Sequence, residues 1–219
     1  PASSSAAAVP WDLGRVMEAR GLEGAEDLAA GSQKLSLLVS LVKDLSSDGH
    51  RTLIFSQSVR MLDIIEECFK ETDGLKSLRI DGSHSDVERQ YQIDLFNSDE
   101  RYKAFLLSTK VGGFGITLTG ASRVVIYDPS WNPAEDSQAV DRAFRIGQQK
   151  NVIVYRMITS GTVEEKMYEK QVYKDGLRRT VVEAKNQQRY FSSNDLKRLL
   201  TLGAPGECEL LRRLEAEQD

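Results

Sequence analysis

The chain has 219 residues, 40% hydrophobic and 28% charged, the balance of a globular protein with one core of about 150 residues and appendages. No apolar run approaches the roughly 18–20 residues of a membrane span, and PASSSAAAVP lacks the basic start and apolar stretch of a secretory leader. The net charge is −4, from 29 Lys and Arg against 33 Asp and Glu, which argues weakly against a nucleic-acid binder with a basic footprint.

The acids gather at the ends. Residues 1–31 hold two Arg and five acids, residues 191–219 hold four basic residues and six acids, and the stretch 32–190 is left at +1. A near-neutral core can still carry a basic groove. Cys68 and Cys208 lie far apart, which excludes a disulfide framework or a Cys-rich zinc site and suggests a reducing compartment. Only two histidines, His50 and His84, are present, so no metal site is expected. The first residue is Pro1 and not Met, as expected for a fragment or a processed piece.

In chain order, residues 1–31 are rich in Ala, Ser and Gly and read as a linker or arm. From Ser32, a plausible cap, Leu35, Leu38, Val39 and Val42 recur at helical spacing until DGH, 48–50. The apolar run 51–55 predicts a strand, 58–70 a helix, 75–80 a strand, and 85–97 a helix capped by Ser85. Strands follow at 103–107 and 123–127. A helix over 133–147 starts on Pro133, as helices often do. The last strand is 152–159; 162–185 is a charged helical stretch, and 191–200 a short helix. Five strands alternate with helices and are apolar without a polar face. That pattern predicts an α/β fold, a three-layer sandwich on a mostly parallel sheet, with ligands held by the loops after the strands. The expected domains are the arm 1–31, the α/β lobe 32–160 and a helical C-terminal extension 161–219.

Two segments carry chemistry. STKVGGFGITLTGASRVVIYDPSWNP, 108–133, sets Ser, Thr and glycines between two strands, where backbone N–H groups can approach phosphate. It is not itself a nucleotide loop. Gly115 to Ser122 has phosphate-loop spacing, but Ala121 stands where Lys belongs, and Leu118 breaks the dinucleotide pattern. In QAVDRAFRIGQ, 138–148, a continuous helix would place Gln138, Arg142 and Arg145 on one stripe. Two guanidinium forks there suit one phosphate; the alternative is a solvated charged face.

Together, TLIFSQS, RIDGSHSDVERQ, the 108–133 segment and QAVDRAFRIGQ resemble motifs IV, IVa, V and VI of the second RecA-like ATPase lobe of SWI/SNF-type DNA translocases, in helicase superfamily 2. The resemblance covers about residues 32–185. FSSNDLKRLL resembles a C-terminal element of the branch that holds the Cockayne syndrome B protein and the mitotic translocase PICH.

The resemblance implies a motor with two lobes. The first lobe holds ATP and Mg2+ with a phosphate-loop Lys and an acidic pair; no GKT, GKS or DEAH string occurs here. The missing lobe is expected upstream. It further implies that Arg142 and Arg145 reach the ATP γ-phosphate as arginine fingers, with Gln138 beside them, and that Gly113 and Gly115 line the ATP cleft. Ser56, Gln57, Gly82, Ser83, Ser108, Thr109 and Lys110 are implied to face the DNA backbone, and Trp131 to couple DNA to the cleft. His84, Val111 and Thr117 depart from the family's usual Thr, Ala and Asn. Val163, Met167, Tyr168 and Val172 would anchor a brace helix packing across the lobes. The implied partners are the first ATPase lobe, double-stranded DNA read without sequence preference, and nucleosomes or other chromatin proteins. The implied location is nuclear, and no membrane is involved. The alternatives are a non-catalytic DNA- or protein-binding scaffold and a nucleotide-sugar-binding α/β domain.

Overall fold

The computed structural model describes residues 29–113, 117–143 and 147–180, together with Cys208. The expectations for residues 1–28, Gly115, Arg145 and the helix at 191–200 fall outside these. The elements run α1 Gln33–Ser47, β1 Thr52–Ser56, α2 Val59–Glu71, β2 Lys76–Ile80, α3 Asp86–Ser98 and β3 Tyr102–Ser108. A 3-10 turn Thr109–Gly113 follows, then β4 Arg123–Ile126, α4 Pro133–Val140, β5 Ile153–Arg156 and α5 Val163–Thr180.

Local chemistry sets the helix starts. Ser32 Oγ accepts Leu35 N–H at 3.3 Å to cap α1. Ser58 does the same for Met61 on α2. Ser85 and Glu88 form a reciprocal capping box on α3. Asn132 caps α4 with Pro133 in its first turn. α1 ends at Gly49, whose φ of +78° is a conformation that side chains with a Cβ resist.

The five strands form one parallel sheet in the order β2-β3-β1-β4-β5. β1 lies at the centre, in register with Ala104–Ser108 of β3 on one side and Arg123–Ile126 of β4 on the other. The chain moves outward from β1 to β2 and then reverses. Right-handed crossovers therefore put α2 on one face and α3, the β3–β4 connection and α4 on the other. The packing agrees. Leu53, Phe55, Phe105, Leu107, Val124 and Ile126 pack with Ile93 and Phe96 of α3 and Ala139 of α4. Ile54, Leu106 and Val125 pack with Leu38 and Val42 of α1 and Leu62 and Ile65 of α2. The result is the three-layer α/β sandwich that the strand pattern predicts, and the RecA-like lobe that the resemblance implies.

Two expected elements are shorter. β5 covers Ile153–Arg156 because it is a half-exposed edge strand. The helix expected over 133–147 ends at Val140. Arg142 N–H bonds Ala139 O at 3.2 Å and Ala143 N–H bonds Val140 O at 3.0 Å, i to i−3 spacing that tightens the chain out of the α-helix.

Phe105 is fully buried, with its ring 4.9 Å from that of Phe96. Phe105→Ala is expected to lower the unfolding free energy by about 3–5 kcal/mol. Val87→Ala, at an 81% exposed position, should change it by under about 0.5 kcal/mol. Urea titrations of the two variants check this.

Candidate functional site

Because every strand is parallel, the segments leaving β1, β2, β3 and β4 emerge at one edge of the sheet. Four groups of sequence-predicted residues leave the sheet there: Ser56 and Gln57, Gly82 and Ser83, Ser108 to Lys110 with Gly113, and Trp131.

The end of β1 is fastened to the end of β4. Gln57 N–H donates to both carboxylate oxygens of Asp128, at 3.2 and 3.0 Å. Its side-chain amide donates to the carbonyls of Asp128 and Pro129, at 3.3 and 2.7 Å. Burial raises the Asp128 pKa despite bonds from Ser56 and Gln57. Ser56 is fully buried, and its Oγ accepts Ser58 N–H at 3.1 Å at the start of α2. Of these two residues, both implied to face the DNA backbone, Ser56 is thus fully buried and Gln57 half-buried, each bonded within the lobe. Ser108 is likewise buried, at 2% exposure, because it still belongs to β3. Thr109 is half-buried and Lys110 exposed.

After β2, Gly82 and Ser83 are exposed. Their loop is organised by Asp81, which accepts Ser83 N–H at 2.9 Å and the Ser83 hydroxyl at 2.5 Å. The Asp81 N–H donates to His84 Nδ1 at 3.2 Å, so His84 is a loop brace. Behind it stands Arg79, whose guanidinium meets Asp63 at 2.6 Å, Glu66 at 3.0 Å and Asp81 at 2.7 Å. Burial would raise the Asp81 pKa, but the bonds from Ser83 and Arg79 outweigh it and hold the carboxyl far below its ordinary range.

Trp131, 46% exposed, follows Ser130, which is buried. Gln138 lies exposed on α4, whereas Arg142 is 6% exposed beyond its end. The single stripe expected from a continuous helix is therefore broken at Val140. Instead the Arg142 carbonyl accepts Leu118 N–H at 3.1 Å, which joins it to the β3–β4 connection. Gln148 strengthens this junction: its side-chain amide donates to the carbonyls of Thr119, Ala121 and Ala143 at 3.2, 2.7 and 3.2 Å. Gly113 ends the 3-10 turn at the other end of the connection.

Sequence reasoning missed Arg79, Asp128 and Gln148 as organising residues. All three lay inside quoted motifs, but nothing in those motifs gave them a role, since their partners come from other elements. Among the described residues, no group of three His, Cys, Asp or Glu side chains gathers as a metal ligand set.

A RecA-like lobe with its loops gathered at one sheet edge and an arginine tied to the β3–β4 connection defines the class. The "Helicase conserved C-terminal domain" family matches residues 33–147, and the chain belongs to it, as a C-terminal lobe of the SWI/SNF type. It is 54% identical over 187 residues to the "DNA excision repair protein ERCC-6-like" of Danio rerio, covering 84% of this chain and 13% of that protein. It is 51% identical over 175 residues to the "SNF2 domain-containing protein ENL1" of Oryza sativa subsp. japonica, covering 80% of this chain and 18% of that protein. The chain thus spans less than a fifth of either relative. Among solved structures it resembles the C-terminal part of the Fun30 ATPase domain, with TM-score 0.61 and 43% identity over 63% of this chain and 44% of that one.

The depressed Asp81 pKa fixes the sign of a pH effect. Its contribution to stability is present above the ordinary carboxylate pKa and is lost as pH falls toward the folded value. Below about pH 4, stability of the wild type should therefore fall more steeply than that of Asp81→Asn, by at most about 1.4 kcal/mol per pH unit. Equal slopes in urea titrations between pH 2.5 and 5 (roughly the range the linkage covers) would remove Asp81 from the acid response.

Proposed function

We propose that this chain is the second lobe of an ATP-dependent double-stranded DNA translocase that works in chromatin remodelling, repair or chromosome segregation. Residues 32–160 form the lobe, and 161–219 its extension. Arg142 and Arg145 act as arginine fingers on ATP–Mg2+ held mainly by a first lobe, with Gln138, Gly113 and Gly115 on the nucleotide side. Gly82, Ser83, Thr109, Lys110 and Trp131 meet the DNA backbone side. Ser56, Gln57 and Ser108 hold those contacts in place from behind. The partners are the first lobe, duplex DNA and chromatin proteins, and the location is nuclear.

One observation carries this reading. The β3–β4 connection begins with exposed Lys110 at the sheet edge and is bonded near its other end to the backbone of Arg142, through Leu118. One segment thus touches both the DNA side and the arginine that senses nucleotide. Arg142 suits phosphate: its fork is permanently charged, and its low exposure removes it from the water that would screen the contact. Its backbone is fixed at both ends, by Ala139 O and by Leu118 N–H. When bound, ATP supplies the energy of lobe closure and opening; these residues orient its phosphate and register its state. The relatives' names refer to excision repair and to an SNF2 domain, which supports this setting over a free-standing scaffold, for which no anion sensor is needed.

In the complete two-lobed protein, Arg142→Lys keeps the charge and loses the bidentate fork. ATP hydrolysis is expected to fall by about two orders of magnitude or more, with DNA affinity in the absence of nucleotide little changed. Near-normal turnover would sink the finger assignment. The isolated chain is expected to hydrolyse ATP no faster than background. It should bind duplex DNA weakly, with strong salt dependence and no sequence preference, because phosphates and not bases are contacted. Sequence-selective binding that survives high salt in a fluorescence anisotropy titration contradicts this account.

A further inference from the structure

We infer that Gln171 on α5 is a positioning residue that locks the Trp131 loop and the first turns of α4 into one unit. The inference rests on the reading of Trp131 as a DNA-side residue, and it adds the element that controls it.

Gln171 is 5% exposed, on a helix face that also buries Met167 one turn earlier. An apolar residue would be the ordinary occupant, because a buried amide is unfavourable unless its hydrogens are used. Both are used. The side-chain amide donates to the Ser130 carbonyl and to Asp136 Oδ2, the latter at 3.3 Å. Asp136, 1% exposed, in turn accepts Ser130 N–H on both carboxylate oxygens, at 3.2 and 3.3 Å. The N–H and the C=O of Ser130 are thus both satisfied by side chains, one from α4 and one from α5. The Ser130 hydroxyl closes the network, donating to Glu135 at 2.8 Å and accepting Asn132 N–H at 3.2 Å. These bonds bracket Trp131, which has Ser130 before it and Asn132 after it. A half-exposed indole is thereby held by a buried polar collar, and the collar is anchored on α5.

α5 has a second, separate tie to the lobe. Glu164 in its first turn accepts both bonds from Lys34 of α1, at 2.7 Å. The tie uses neither Ser130 nor Asp136, although the same Lys34 Nζ stands 4.9 Å from the Tyr127 ring centroid, so breaking it loosens α5 while leaving every bond of the collar in place.

The test uses the 219-residue chain with Trp11→Phe, which leaves Trp131 as its one tryptophan. Gln171→Met keeps the length and apolar volume of the side chain and removes both donors. Acrylamide quenching of Trp131 fluorescence is expected to rise about twofold as the loop opens, with far-UV circular dichroism unchanged. Lys34→Met, which breaks the other tie, is expected to leave the quenching near the wild-type value. Unchanged quenching in Gln171→Met overturns the inference, and so does an equal rise in Lys34→Met, since any loosening of α5 would then suffice. If Gln171→Met does not fold, Gln171→Asn decides: it keeps the amide but shortens its reach, so an intermediate rise supports the collar and wild-type quenching refutes it. No nucleotide or DNA enters the measurement, so its failure is distinct from a failure of the Arg142 test.

Discussion

The structure depends on β1 being hydrogen-bonded in parallel along both edges and buried on both faces. All five residues, Thr52 to Ser56, are inaccessible. A strand so enclosed has no side chain to offer a ligand, so chemistry passes to the residues just beyond it. There the ladder stops, and side chains replace it. The Asp128 carboxylate takes Gln57 N–H, and the Gln57 amide takes two carbonyls on the β4 side. The tie keeps β1 and β4 together past the point where backbone pairing ends. It also explains why residues that motif resemblance points toward DNA are turned inward: they shape the edge from which others project.

The edge uses two electrostatic solutions for its buried carboxylates. Asp81 is faced by the Arg79 guanidinium and by Ser83, and these hold it ionised against the effect of burial. Asp128 and Asp136 have neutral donors as their hydrogen-bond partners, and burial raises the pKa of both. The Arg79 cluster has three carboxylates to one guanidinium, so its field beside the exposed Gly82 and Ser83 is not attractive to an anion. On the proposed function, the grip there comes from hydroxyl and N–H donors and not from net positive charge. Such contact is directional and weakly held, which suits a lobe that must release each phosphate after it has advanced.

The layered fold was legible in the sequence because its signals are local: apolar strand runs, Ser and Asn caps, and Pro133 in a first turn. The motif order added the family. Two kinds of feature were not legible. The end of α4 could not be read, because Ala139, Val140, Asp141 and Arg142 are compatible with a longer helix. The chain leaves it through tightened i to i−3 bonds, with the Arg142 carbonyl bonded to Leu118 N–H, a group distant in sequence. The long-range polar ties were equally hidden. Nothing in the spacing of Arg79, Gln148 and Gln171 shows the carboxylates and carbonyls that the topology brings to them. Cys68, by contrast, sits on the apolar face of α2 beside Ile65 and Phe69, with burial and nearby acids pushing its thiol up to about 11.

The far end of the β3–β4 connection is held by side chains from α3 and from the approach to β1. Gly120 N–H bonds Asn97 Oδ1 at 3.2 Å, and a Cβ there would lie 2.9 Å from Arg51 Nη1 and 3.0 Å from Asn97 Oδ1. Arg51 has little freedom to yield, since it stacks 3.9 Å from the Phe96 ring centroid and donates to the carbonyls of Phe96, Asp99 and Tyr102. Only glycine fits this site without displacing a buried guanidinium. The connection's bond to Arg142 lies at Leu118, two residues before this clamp, and Gln148 crosses to Thr119 and Ala121 on either side of Gly120. On the proposed function, the bond at Leu118 and the Gln148 crossing are what link the DNA side of the connection to the arginine, and the Gly120 clamp beside them fixes where that link sits.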